Sequence, residues 1–133
     1  MKGTTLTVDD LLDHMSEACR KITEYTAGMD EEAFYQSPKT LDAVVKNIEV
    51  LGEAANALIK NYPIFTESAS EIPWRQLNGM RNRLVHGYFD IDRQVVWKTV
   101  VTDIPLLANS LVDIQQNQSQ LIAAASRNNG QSR

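Results

Sequence analysis

The sequence predicts an all-α protein, an antiparallel bundle of four to five helices. Three observations carry that expectation. Apolar residues return every three or four positions through most of the chain, no segment alternates apolar and polar residues in the period of a strand, and helix starters and stoppers fall where the apolar stripes begin and end. There is no internal repeat and no glycine-rich phosphate loop.

Thr7 is placed to cap the first helix, whose stripe runs Val8, Leu11, Leu12, Met15, Ala18, Cys19, Ile22 and Tyr25 until Gly28 ends it. Asp30 caps a short helix through Phe34. Ser37-Pro38 then supplies an N-cap followed by proline at the first helical position. The third helix carries Leu41, Val44, Val45, Ile48, Leu51, Gly52, Ala55, Leu58 and Ile59, and Asn61-Tyr62-Pro63 stops it. Residues 62–73 have two prolines, several hydroxyl residues and no period, so they are expected to be the one substantial loop. A fourth helix begins near Pro73 with Trp74, Leu77, Met80 and Leu84 inward. The last is capped by Asp90 or Asp92 and runs through Val96, Val100, Ile104, Leu107, Leu111 and Ile114, where Pro105 should kink or split it.

With 133 residues, 43% of them hydrophobic, the chain suits one domain, expected over 1–122, with a Gln-, Asn- and Ser-rich flexible tail over 123–133. No apolar run approaches the ~20 residues that span a bilayer, and the start is not a signal peptide, so no membrane and a cytoplasmic location are expected. The single cysteine, Cys19, excludes intrachain disulfides and a cysteine metal cluster, and its place on the stripe predicts a buried thiol. Net charge is −4, which argues against a general nucleic-acid coat. The charge is uneven: residues 1–72 hold 13 acidic against 6 basic side chains and residues 73–133 hold 4 against 7. A small, focused phosphate site in the second half fits that balance. Taken singly, Arg75, Arg93 and Lys98 read as solvated helix charges.

The stretch Arg81-Asn82-Arg83-Leu84-Val85-His86-Gly87-Tyr88 is the most informative. It joins a planar fork of phosphate donors, an imidazole that titrates near neutrality and a phenol. By residue type alone the set fits a helix cap, a satisfied imidazole and a core-edge aromatic equally well. Its spacing, arginine, four residues, histidine, one residue, tyrosine, resembles the signature of the HEPN superfamily and its HepT-like ribonuclease toxins. Asn47-Ile48-Glu49-Val50-Leu51-Gly52-Glu53-Ala54 resembles the Gly-Glu-Ala helix of that family, Ile72-Pro73-Trp74-Arg75 the lead-in to its motif helix, and Tyr88-Phe89-Asp90-Ile91-Asp92 the exit. The likeness covers about Leu11 to Leu111.

The resemblance implies an endoribonuclease toxin of a toxin-antitoxin module that cleaves RNA, transfer RNA being one candidate, by attack of the ribose 2′-hydroxyl on phosphorus without metal or cofactor. It implies Arg81 and His86 as catalytic residues, with Asn82, Arg83 and Glu53 supporting them or binding RNA. It also implies a homodimer and a minimal nucleotidyltransferase (MntA-like) antitoxin that attaches AMP to Tyr88. At about 100° per residue Arg81 and Tyr88 share a helix face, whereas His86 lies ~140° from Arg81. Either the arginine stem reaches round with a bend at Gly87, or a dimer brings two copies to one cleft; the family favours the dimer. Glu49 and Glu53, one turn apart, fall short of a metal-ligand spacing even with His86. Glu53, beside Gly52, where the missing side chain lets helices approach closely, is instead expected to pair with Arg81 or Arg83. His14 reads as a surface imidazole, and Trp74 and Trp97 as core side chains that could stack on a base. The rival reading is a HEPN helical module that binds a nucleotide or a partner without cleaving.

Overall fold

A computed structural model describes residues 5–84 and 90–131, with side chains as far as residue 118. The helices are α1 (Val8–Tyr25), α2 (Glu31–Tyr35), α3 (Pro38–Asn61), α4 (Pro63–Ser68), α5 (Trp74–Leu84), α6 (Arg93–Lys98) and α7 (Ile104–Gln131), with a π-helical turn at Thr99–Asp103. Among the described residues there is no strand. The expected all-α bundle is observed.

Local chemistry sets the helix starts. The Thr7 hydroxyl accepts from the Asp10 amide and the Asp10 carboxylate accepts from the Thr7 amide, both at 3.0 Å, so two orphan donors at the start of α1 are satisfied reciprocally. Asp30, Ser37 and Asp92 cap α2, α3 and α6 as their sequence positions predict. Gly28 takes φ 76°, the left-handed conformation that turns the chain out of α1 at little steric cost.

α3 is the central element, flanked by α1 on one side and α5 on the other, while α7 lies along α1. Long-range hydrogen bonds fix the directions. The Tyr62 hydroxyl donates to the Leu6 carbonyl at 2.7 Å, bringing the end of α3 to the start of α1. Gln115 of α7 donates to Asp13 at 2.7 Å and accepts from Ser16 at 2.8 Å, while Ala108 and Val112 lie beside Cys19 and Thr23, so α7 is antiparallel to α1. Leu12, Met15 and Ile22 of α1, Val44, Ile48, Leu51 and Leu58 of α3, and Ile104 and Leu111 of α7 are fully buried. Each contributes about 1.5–3 kcal/mol by leaving water. Cys19 is also buried, as its stripe position predicts, and burial pushes its thiol up to about 12.

One expectation changes, and the split expected at Pro105 is observed. Residues 62–73 are not one loop, because Pro63 occupies the first turn of α4, where its missing N–H costs nothing. α4 has a positioning role: Phe65 meets Trp74 edge-on at 5.9 Å, and the Trp74 indole donates to the Ala69 carbonyl at 3.0 Å, locking the start of α5. Pro105 interrupts the last helix through a π turn. It offers no donor to the carbonyl four residues before it, and the backbone widens so that the Ile104 amide donates to the Thr99 carbonyl. Beyond it α7 continues to Gln131, through the stretch whose composition predicts fraying.

The continuous segment Arg93–Gln118 has the length and composition of a helix that could cross a membrane, with 33% of its most apolar window buried against the bundle. A helix packed along α1 as a core element passes the same test.

Candidate functional site: the α3–α5 cleft

Gly52 decides how α3 and α5 meet. A Cβ added there would lie 3.1 Å from the Leu77 carbonyl oxygen and 3.5 Å from that of Asn78, so the motif helix rests on α3 at the one position without a side chain. The sequence places a close approach at this glycine, and the structure has it. With the backbones in contact, the antiparallel register follows: Gly52 faces Leu77 and Asn78, and Glu49, about one turn back on α3, faces Arg81, about one turn on in α5.

Arg81 donates through Nε to Glu49 Oε2 at 2.9 Å. The arginine side chain is 44% exposed and the glutamate 32%, so the pair adds no more than about 1 kcal/mol to stability. Its consequence is orientation. A guanidinium has five donors in a rigid fork, and no partner among the described residues takes the terminal nitrogens of Arg81. Glu49 therefore holds the stem through Nε and leaves the two Nη nitrogens, which can grip a phosphate bidentately, without a partner among the described residues. Around this pair lies an open depression of about 300 Å³ with Gly52 at its base and Glu53, Asn56, Asn78 and Asn82 on its walls.

Of the residues singled out in the sequence, the structure brings Arg81, Asn82 and Glu53 into one cleft. The expected pairing is corrected: Arg81 takes Glu49, not Glu53, because register rather than adjacency to Gly52 selects the carboxylate. Arg83 does not join them. Its Nη2 donates to the Gln76 carbonyl at 3.1 Å, and it lines a separate depression of about 240 Å³ beside Asp103 and Leu107. Two positions on a helix are about 200° apart, which puts Arg83 on the opposite side from Arg81. His86 and Tyr88, the expected catalytic imidazole and modification site, lie outside the described residues. The chain on either side of them is tied together, since the Asp92 amide donates to the Leu84 carbonyl at 3.0 Å.

Trp74 and Trp97 have core roles, Trp74 as described and Trp97 with its ring 5.1 Å from that of Phe34. Among the described residues no three His, Cys, Asp or Glu side chains gather in a metal-binding arrangement. Sequence reasoning did not assign Asn56 and Asn78 to the site. The signal was present in their spacing, since Glu49, Glu53 and Asn56 fall on one stripe of α3 and Asn78, Arg81 and Asn82 on one stripe of α5.

The ribonuclease HepT-like family profile matches residues 15–114, a span that contains both helices of the cleft and the whole motif from Arg81 to Tyr88. The chain belongs to the HepT-like family. Among its relatives, a protein named "Probable ribonuclease HepT" from Thermococcus cleftensis is 42% identical over 99 residues, covering 74% of this chain and 86% of its own length. One named "Putative RNase TTE0752" from Caldanaerobacter subterraneus subsp. tengcongensis is 33% identical over 107 residues, covering 80% of this chain and 93% of its own. No solved structure gives a significant match. Within a HepT-like chain, the α3–α5 cleft presents the motif arginine at the surface, its side chain 44% exposed.

Proposed function

We propose that this HepT-like protein is a metal-independent endoribonuclease, the toxin of a toxin-antitoxin module acting in the cytoplasm. The observation that supports it most directly is Arg81, the motif arginine, held by Glu49 with its outer fork open to a phosphate. In the reaction the ribose 2′-oxygen forms a bond to the adjacent phosphorus, the bond to the 5′-oxygen breaks, and the product ends in a cyclic phosphate. His86 takes the proton from the 2′-hydroxyl or gives one to the leaving 5′-oxygen, a role worth about 10²–10⁴-fold. Arg81 stabilises the negative charge that gathers on the phosphoryl oxygens. Asn82, in the same cleft, orients either group, and a homodimer, which the family resemblance favours, brings two motifs to one cleft. Transfer RNA is the proposed target.

The proposed partner is a minimal nucleotidyltransferase that attaches AMP to Tyr88. An adenylate there adds negative charge beside Arg81 and fills the space of the RNA, so inhibition follows from electrostatics and sterics together.

Cleavage of total RNA by the purified, unmodified protein in excess EDTA tests this function. Wild type is expected to produce cyclic phosphate ends and to leave DNA intact, and folded Arg81→Ala and His86→Ala proteins to lose at least about 10²-fold in rate. Intact RNA with the wild type would move the reading to a helical module that binds a nucleotide or partner without cleaving it.

A further inference from the structure

A second and larger depression, about 460 Å³, opens where the end of α3, α4 and the start of α5 meet. Its wall is largely apolar, formed by Ile59, Pro63, Ile72 and Pro73, and Arg75, Glu67 and Ser70 stand at its edge. Nothing in the chemistry assigned to Arg81 and His86 uses it.

Helical spacing places it next to the Arg81 cleft. Asn82 and Arg75 are seven positions apart, within about 20° of each other on α5, and Asn78 lies between them on the same stripe. On α3 the stripe of Glu49, Glu53 and Asn56 leads on to Lys60, while Gly52 and Ile59 share the side that faces α5. The two depressions therefore follow one another along the seam between α3 and α5. Arg75 lies six residues from Arg81, about 9 Å along the helix axis and about 120° around it, so the two guanidinium groups stand on successive parts of the seam and not on one stripe. Read singly in the sequence, Arg75 was an ordinary solvated charge; in the fold it is an exposed cation at the mouth of an apolar hollow, with no carboxylate paired to it among the described residues.

We propose that this depression is a subsite for a nucleotide of single-stranded RNA flanking the scissile phosphodiester. Arg75 takes a backbone phosphate, the apolar wall takes the face of the base, and Glu67 and Ser70 meet the hydrogen-bonding edge of the base. Recognition of unstacked bases by apolar surface and edge contacts is how single-stranded RNA is read. The carboxylate of Glu67 accepts from exocyclic amines, which favours bases that carry one. The subsite rests on the ribonuclease reading and extends it from the reacting phosphate to the neighbouring residue of the strand.

Binding of a labelled single-stranded RNA octamer to full-length His86→Ala protein, measured by fluorescence anisotropy over a salt series, tests the subsite. Arg75→Ala in that background is expected to weaken binding several-fold and to flatten the salt dependence by about 0.7 in log K per log salt, the signature of one lost phosphate contact on a single strand. Ser70→Tyr, which fills the hollow from an exposed position, is expected to weaken binding with the salt slope kept. Affinity and slope unchanged in both variants, each folded by circular dichroism, overturn the subsite, as does a parent protein that fails to bind the octamer. Cleavage by wild type in EDTA reports on the ribonuclease reading separately, so active wild type with indifferent Arg75 and Ser70 variants removes the subsite alone.

Discussion

The two flanks of α3 are built for different purposes. Toward α1 and the rest of the core, large apolar side chains close the space: Val44, Ile48, Leu51 and Leu58 are fully buried, as are Leu12, Met15 and Ile22 opposite them in the bundle. Toward α5 the side chains of Trp74, Leu77, Met80 and Leu84 are buried too, but the backbones touch at Gly52, and the exposed rim consists of Glu49, Glu53, Asn56, Asn78, Arg81 and Asn82. Burial stabilises the first seam. Close backbone approach sets the geometry of the second, where a charged side chain must stay wet and still be held. A helix shared by both lets the apolar seam fix the position of the polar one.

Core truncation should give the largest loss of stability. Leu12→Ala removes buried methyl groups from a fully buried site and is expected to cost about 2–5 kcal/mol in denaturant unfolding. The activity of the fraction that remains folded should be close to wild type; a comparable loss of stability from Arg81→Ala would break the division between the seams.

Gly52→Val probes the polar seam through its geometry. The new side chain meets the Leu77 carbonyl backbone, which cannot swing aside as a flexible side chain does, so α3 and α5 must separate. Overpacking of this kind costs about 1–3 kcal/mol. The expected result is a fall in RNA cleavage larger than the fall in stability alone produces, because Arg81 loses its register with Glu49. Equal activity at reduced stability would show that the register has no bearing on the chemistry.

Glu49→Gln should sharpen the same point with a smaller effect. The exposed pair contributes no more than about 1 kcal/mol, so the melting temperature should move by no more than about 3–5 °C. Removing the carboxylate frees the Arg81 charge, and RNA binding should tighten at low salt while the turnover rate falls, since the stem is no longer held. A parallel change in binding and turnover would mean that Glu49 does not position Arg81.

The smallest expected effect lies at the far end of the apolar seam. The backbone amide of Thr7, and then its hydroxyl, hold the Asp10 carboxyl below its ordinary value. A carboxyl lowered in the folded state stabilises above its unfolded pKa, about 3.9, and that stabilisation disappears as pH falls through the lower, folded value. Thr7→Ala is expected to cost about 1 kcal/mol near neutrality and to make the acid limb of the stability curve shallower. Thermal melts of both proteins from pH 7 to pH 2 check it; identical acid limbs would leave the backbone amide alone holding the Asp10 carboxylate, with no part for the Thr7 hydroxyl.

Much of this molecule is local, and what is local was legible. Thr7, Asp30, Ser37-Pro38 and Asp92 start their helices because the capping chemistry involves only three or four consecutive residues. The stripes of α1, α3, α5 and α7 became the core because a period of 3.6 residues is a property of the segment itself. Pro63 shows the limit of that reasoning: a proline ends one helix and equally begins another, and only packing of Phe65 and Trp74 selects the second outcome.

By itself the sequence determined the helices, the buried Cys19, the close approach at Gly52 and the motif by which the chain belongs to its family. Only the tertiary structure decided which glutamate holds Arg81, why Arg83 points elsewhere, and that Arg75 stands at the mouth of the neighbouring apolar depression. The physical reason is register. Helical periodicity fixes which residues share a face, but which faces meet, and at what axial offset, depends on where two backbones come into contact, and here that contact is the carbonyl of Leu77 lying against Gly52.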